Sequence, residues 1–425
     1  MIDFEKFFES VSNVTTDKYN CGDNVFMYIY SGITEEDFFN HEEKLEKAGY
    51  VVFQRHDIAG NIHYTLKGEG QTVQFYYNPC LSSARLIADG YTADPIIEKP
   101  QVTRVCNTEI YQFETDHSLI DCGMCYIIRC ADNSFFIIDS AHSYSMRDND
   151  RIHDLLRSMT PENEKIRISG WFISHGHDDH ICKFKDYLLY NMADSEVERI
   201  YYNIIDDTHP DNIHWDTASK NFRKQMHTVV KNSGIPVVKL HTGQRFYVEN
   251  LEFEVLCTHE DVYPASCRDY NNSSTVLMMT AEDTKVLFPG DASNESSKVL
   301  EERYGDALKC DIVQLSHHGH NGTSAQFYRY ASAPVVLCPN TEIKFNEEWH
   351  RYEANEVAHD IAEEFYISAN GTVKLTLPYV KGSAEIFPDE TTEDFNGIKE
   401  LWNYEYTDEF KKQHNEEFVK RGGKL

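Results

Sequence analysis

Six consecutive positions, His175-Gly176-His177-Asp178-Asp179-His180, hold three histidines and two aspartates. They follow an apolar run, Ile168 to Ile173, that reads as a buried strand. Imidazole nitrogen and carboxylate oxygen are the donors that zinc and other borderline divalent ions take. Gly176 lets the backbone turn tightly, so that side chains at i, i+2, i+4 and i+5 can converge on one point. The stretch predicts a metal site rather than a solvated loop. Three further apolar runs end in ligand-type residues: Phe135 to Ile138 in Asp139, Val286 to Phe288 in Gly290-Asp291, and Ile312 to Leu315 in Ser316-His317-His318-Gly319-His320. A lone aspartate after a strand is ordinarily a turn or cap residue. The four strand ends together predict one site gathered along a sheet edge, where rigid strands carry movable loops.

The elements that must position these groups fall into three stretches. Residues 1–98 read as a small α+β domain: a strand at Asn24 to Ser31, a helix at Thr34 to Gly49 with Thr34 as N-cap, then alternating strands at Val51 to Arg55, Ile62 to Lys67 and Thr72 to Tyr77. Its many tyrosines and phenylalanines fit a sheet face packed on the neighbouring domain. Gly60, Gly68 and Gly70 read as turns, since no Lys-Ser/Thr ending follows them as in a phosphate-binding loop. Pro95 to Pro100 marks a boundary. Residues 102–385 alternate strands (Val105 to Phe113, Met124 to Cys130, Phe135 to Asp139) with helices (Asp148 to Met159, Cys182 to Met192, Thr217 to Asn232), a pattern that predicts two sheets between helix layers. Residues 386–425, acidic and aromatic and then basic, predict a peripheral helical tail.

Composition limits the partners. The 425 residues carry a formal charge of −30, which disfavours long nucleic acid and anionic membrane surfaces. The start of the chain lacks a basic and apolar leader pattern, and no apolar run reaches membrane-spanning length, so a cytoplasmic protein is expected. The eleven cysteines form no regular framework and read as reduced thiols. Cys122-Gly123-Met124-Cys125 has redox spacing, but its place at a strand start favours packing.

His175-Gly176-His177-Asp178-Asp179-His180 resembles the HxHxDH signature of the metallo-β-lactamase superfamily, and Asp139, Gly290-Asp291 and His317 follow in that family's order. Asn271 to Leu277, Phe288 to Ala292 and Ser316 to Gly319 look like the branch of the competence-type DNA-uptake nuclease-like domain and the phosphorylcholine esterases. The resemblance implies an α/β fold of the αββα sandwich type over residues 102 to 380, with two divalent metal ions, zinc first and manganese or iron as alternatives. It implies His175 and His177 at the first ion, Asp179 and His180 at the second, Asp291 between them, and His317, with His318 as the alternative, completing the second. Asp139 would orient a ligand from behind. The chain departs from the pattern at the third motif, where the family has a histidine roughly 20 residues before the bridging aspartate. Tyr270, Asn271 and Asn272 stand there, and His259 is the nearest upstream histidine. An exposed loop residue is the expected reading of His259.

The chemistry so implied is hydrolysis by a hydroxide bridging two ions, with Asp179 holding the nucleophile's metal and His318 or His320 protonating the leaving oxygen. The expected substrate is a small or short phosphodiester, with His350 and Arg351 as candidate contacts to its anionic group. The competing readings are a lactone, amide or thioester hydrolase of the same fold, and a binding or sensory protein with a structural metal site. The oligomeric state is left open.

Overall fold

The structure, a computed structural model, describes residues 2–388 apart from 23, 91, 116–122, 144, 146, 206, 208–216, 341–344 and 346–350. The expected tail helices, His350 and Cys122 lie outside the described residues. Three sheets build the molecule. The N-terminal one has six antiparallel strands in the order Thr15–Asn20, Phe26–Ser31, Ser83–Gly90, Gln71–Asn78, Asn61–Gly68 and Val51–Ile58. The second runs Val237–Lys239, Ile200–Tyr202, Ile166–Phe172, Phe135–Asp139, Cys125–Arg129, Glu109–Gln112, Thr372–Thr376, Glu385–Phe387, with Ser195–Val197 paired to Ile166–Phe172. The third runs Arg245–Val248, Leu251–Cys257, Val276–Ala281, Thr284–Phe288, Ile312–Gln314, Val335–Cys338, Glu364–Ile367.

The second and third sheets lie face to face, and helices cover their outer faces. Strand alternation divides the side chains between layers. Phe136 and Ile138 point into the core between the sheets, against Phe246, Phe253 and Leu277. Phe135 and Ile137 point outward, onto Ile152 and Leu156 of the helix Asp148–Met159 and Phe184 of the helix Asp178–Tyr190. This is why Phe135 to Ile138 is apolar without interruption: a strand buried on both faces has no solvent side to alternate with. The third sheet does the same, with Leu287 and Val313 packing on Leu300 of the helix Asn294–Tyr304 and Phe327 of the helix Ala325–Ala331. The architecture is therefore the expected α/β/β/α sandwich.

The N-terminal sheet packs one face on the helix Glu35–Lys47, whose start is a reciprocal cap: Thr34 N–H donates to Asp37 (2.9 Å) and Asp37 N–H to the Thr34 hydroxyl (3.1 Å). Most aromatics of this sheet and helix, including Tyr30, Phe38, Tyr64 and Phe75, lie in the internal core between them and not, as their number alone predicts, against the neighbouring domain. The other face places Met27, Tyr76 and Ile87 against Ile205, Tyr263, Cys267 and Tyr270 of the sandwich. Hydrogen bonds join the two: Gln54 exchanges two with the Arg245 backbone (2.6 and 2.9 Å), and Asn61 donates to the Arg303 carbonyl (3.0 Å). Among the described residues no helix is long and apolar enough to cross a membrane, and all ten cysteines there are free thiols.

Candidate metal centre

The ends of strands from both sandwich sheets meet at one edge. The strand Ile166–Phe172 delivers the loop Ser174 to His177, and the next helix starts at Asp178, four residues earlier than the spacing suggested. His177 is its extended N-cap, and Asp178 and Asp179 occupy the first turn, where carboxylates are favoured by the helix dipole. Asp179 and His180 are thus fixed on a helix while His175 and His177 stay on the loop.

Four side chains form the core of the site. One ligand atom each of Asp179, His180, Asp291 and His318 lies within 4.8 Å of the others. His180 Nε2 stands 3.2 Å from Asp291 Oδ2 and 3.5 Å from Asp179 Oδ2; His318 Nε2 stands 3.1 Å from Asp179 Oδ2 and 3.4 Å from Asp291 Oδ2. Each imidazole is aimed by its far nitrogen. His180 Nδ1 donates to Asp139 Oδ2 (2.8 Å), and His318 Nδ1 to the Pro339 carbonyl (2.7 Å), which leaves both Nε2 atoms inward. Asp139 is itself set by Ser174, through N–H (2.8 Å) and hydroxyl (2.7 Å). His175 and His177 meet beside this group, with His175 Nε2 3.1 Å from His177 Nδ1 and 3.8 Å from Asp291 Oδ2.

The electrostatics match a cation site. Burial pushes the His175 and His177 imidazoles down, keeping them neutral with lone pairs to offer. Burial also opposes charge on His180, but Asp291, Asp179 and Asp139 around it raise it well above its ordinary value. Asp179 and Asp291, despite their burial, are held well below the usual carboxylate range by the His180 charge first of all. Two carboxylates here share a proton-bearing imidazole, and a divalent ion can take over that proton's role. Asp291 Oδ1 is buried without a hydrogen-bond partner, as a bridging ligand would leave it. The donor set fits a divalent metal ion.

The family order predicts His317 in the second set, with His318 as the alternative; the structure brings in His318. Both residues have left-handed backbone, with φ of 51° and 55°, so the chain twists between them. The His318 ring swings into the buried cluster, while His317 stays at the rim, 22% exposed, with Nε2 3.9 Å from Asp291 Oδ2. His318 is thereby removed as the expected proton donor, since its two nitrogens face a carbonyl and two carboxylates. His320 lies beyond, its ring centre 5.3 Å from that of His317. His259 is buried, not exposed: it bonds Asn203 (3.0 Å), burial pushes its imidazole down to about 4, and it stands outside the cluster. Asn272 serves as a cap, its Oδ1 accepting from Glu295 N–H (3.2 Å) and Ser296 N–H (3.3 Å). Asp178 accepts from Ser143 (2.9 Å) and Ser219 (3.0 Å) beside the loop. Arg351 is exposed.

Several supports of the site carry no ligand-type spacing in the sequence. Arg223 is fully buried; it grips Asp207 with two nitrogens (2.7–3.0 Å), donates to the Gly176 carbonyl (2.9 Å) and lies 4.0 Å over the Tyr270 ring. A Cβ on Gly176 would meet the Arg223 Cδ at 2.4 Å, so it is the packing of Arg223, and not a left-handed turn, that favours glycine there. The available signal was Arg223 at i, i+3, i+7 with Met226 and Val230, a charge on the apolar stripe of its helix. Gly290 has φ +58°, and a Cβ there would meet Ser174 at 2.9 Å; Gln314 latches its carbonyl (2.8 Å) and N–H (3.1 Å).

No protein-family model and no curated protein matches the chain. Solved structures do. The metallo-β-lactamase fold protein YhfI from Bacillus subtilis is similar at 10% identity and TM-score 0.40, over 61% of this chain and 96% of that one. Yeast PDE1 is similar at 13% identity and TM-score 0.37, over 61% and 97%. The short form of human tRNase Z is similar at 11% identity and TM-score 0.33, over 61% and 95%.

Proposed function

We propose that this protein is a metal-dependent hydrolase of the metallo-β-lactamase type, acting on a small or short phosphodiester with two divalent ions. The observation that carries the reading is the Asp179, His180, Asp291, His318 cluster with each imidazole aimed from behind by a dedicated acceptor. Bound there, a pair of divalent ions supplies an activated water and polarises the substrate's oxygen. The chain's own groups do the rest. Asp139 and the Pro339 carbonyl hold the Nδ1 protons of His180 and His318, so neither ring turns away from the centre. His175 and His177 would hold the first ion, and Asp291 would contribute to both. His320, beyond His317 at the rim, delivers the proton to the leaving oxygen, the role that falls to it once His318 joins the cluster. Arg351 and His350 are the residues proposed to contact the anionic substrate. The overall charge of −30 favours a small anion over a long polyanion.

The test is hydrolysis of bis-p-nitrophenyl phosphate by protein loaded with zinc, manganese or iron. Turnover that vanishes in Asp179→Ala supports the reading. Turnover of esters, lactones or thioesters without phosphodiester cleavage moves the protein to the second hydrolase class, and full metal loading without either activity makes the site structural.

A further inference from the structure

The loop Ser174 to His177 carries two imidazoles of the centre on backbone that belongs to neither the strand before it nor the helix after it. The helix Thr217–Ser233 grips this stretch at two points. Ser219 and Arg223, four residues apart and so on one helix face, are both fully buried. The Ser219 hydroxyl donates to Asp178 Oδ1 (3.0 Å), and Arg223 Nη1 donates to the Gly176 carbonyl (2.9 Å). Gly176 has no side chain, so its carbonyl is the handle by which the backbone between His175 and His177 can be held. The rest of the guanidinium is committed elsewhere, with Nε and Nη2 on the Asp207 carboxylate and one face over the Tyr270 ring. A planar fork of five donors can serve a carboxylate, a carbonyl and a ring at once; an ammonium cannot.

Tyr270 joins this grip to the N-terminal sheet. Its hydroxyl donates to Asp207 Oδ1 (3.1 Å), and its ring centre stands 6.0 Å from that of His177. It begins the short turn Tyr270–Ser273, which Asp269 fastens by accepting from Asn271 N–H (3.1 Å). Tyr270 also belongs to one buried cluster with Cys21, Val25, Met27, Tyr76 and Ile87 of the N-terminal layer. Interiors packed in this way pass displacement on rather than absorb it. Arg223 bonds the loop's backbone and no ligand nitrogen, so its part is to place the loop.

We infer that Arg223 is a positioning residue of the metal centre, and that through Tyr270 the docked N-terminal sheet sets the loop bearing His175 and His177. This rests on the metal-centre reading above. Asp179 and His180 are fixed separately, in the first turn of a helix and, for His180, by Asp139. Loosening the grip therefore weakens the ion held through the loop and spares the one held through the helix. The N-terminal layer is then a brace for the centre, not an independent recognition module.

The experiment is titration of chelator-stripped protein with Co²⁺, followed by visible absorption and by elemental analysis after desalting. The variants are Arg223→Lys, Arg223→Met, Ile87→Ala and Leu308→Ala, with circular dichroism melting to place all of them on one stability scale. Leu308 is buried in the layer outside the third sheet and serves as the control, losing core packing without touching this chain of contacts. Arg223→Lys keeps a charge opposite Asp207, so it stays informative where Arg223→Met does not fold. Both Arg223 variants are expected to lose about tenfold or more in affinity for one Co²⁺ equivalent and to change its visible spectrum at saturation. Ile87→Ala shifts the same equivalent in the same direction by about two- to fivefold. Leu308→Ala lowers the melting temperature and leaves affinity and spectrum as in the wild type. Wild-type affinity and spectrum in folded Arg223→Lys overturn the positioning role. A full effect of Arg223→Lys with none from Ile87→Ala overturns the link to the N-terminal sheet, and losses in Leu308→Ala equal to those at Arg223 overturn both by reducing them to general stability. A wild type that binds no Co²⁺ overturns the metal-centre reading itself.

Discussion

Asp261 and Asp291 are both buried aspartates held below the usual carboxylate range, and they are stabilised in opposite ways. Asp261 stands between the N-terminal sheet and the sandwich. Its Oδ1 accepts from Arg303 (2.7 Å) and Tyr76 (2.6 Å), its Oδ2 from Thr258 N–H (2.9 Å) and the Thr242 hydroxyl. Every lone pair is occupied, and a guanidinium never surrenders its proton. Asp291 faces imidazoles on Oδ2 and nothing on Oδ1. Imidazoles do surrender protons, so the Asp291 environment can trade them for a metal. A buried charge that is fully paired holds the structure together; one that is incompletely paired, among groups that can titrate, is set aside for a ligand.

The contrast can be broken by substitution. Asp261→Ala leaves Arg303 buried without its counter-charge and is expected to cost about 3–5 kcal/mol, read as a fall in the denaturant midpoint; metal stoichiometry at temperatures where the variant is folded stays that of the wild type. A loss of metal without loss of stability would reverse the comparison. Asp291→Asn should do the opposite, lowering phosphodiester turnover by about 10²- to 10³-fold with little change in the metal-free melting temperature. His318→Ala is expected to weaken metal binding by about 10- to 100-fold and His317→Ala far less; equal effects on metal affinity would return His317 to the ligand set.

The smallest effect concerns pH. His241 lies buried between Glu260 (3.0 Å) and Asp89 (3.4 Å), close to Lys239 and His259. Burial opposes its charge, but Glu260 and Asp89 raise it from 6.5 to about 9. A raised folded value means that the charged imidazole's stabilisation is complete below 6.5 and is lost as pH rises through about 9. The melting-temperature difference between the wild type and His241→Gln should therefore shrink across that window, and a difference that grows would contradict the assignment of charge to His241.

The strand ends were legible because a two-sided buried strand writes an uninterrupted apolar run, and ligand residues directly after it stand out. Asp139, His175, His177, Asp179, His180 and Asp291 all converge where that rule puts them. The choice between His317 and His318 was not legible, since it turns on two successive left-handed residues that no side-chain pattern announces. His259 looked like a loop residue because its short helical turn is buried by a separate layer whose docking no local spacing encodes. The helix start at Asp178 was hidden by the ligand reading itself: the same aspartates are both metal-type residues and good first-turn residues. The strand Thr15–Asn20 is an edge strand with exposed polar residues, and it lacks the alternation that would reveal it.

The centre draws Asp139, His175, His177, Asp179 and His180 from one sandwich sheet and Asp291 and His318 from the other. An ion held there is a rivet through two plates that otherwise adhere by their apolar faces and a few hydrogen bonds, such as Gln112 to the Tyr366 carbonyl (3.1 Å). Sliding of one sheet over the other must tear its coordination, so the bound ion adds to cohesion by mass action, and the melting temperature climbs with the logarithm of free metal once the site is saturated. Chelation should loosen the seam between the plates before it loosens either plate, and amide exchange along that edge would register it.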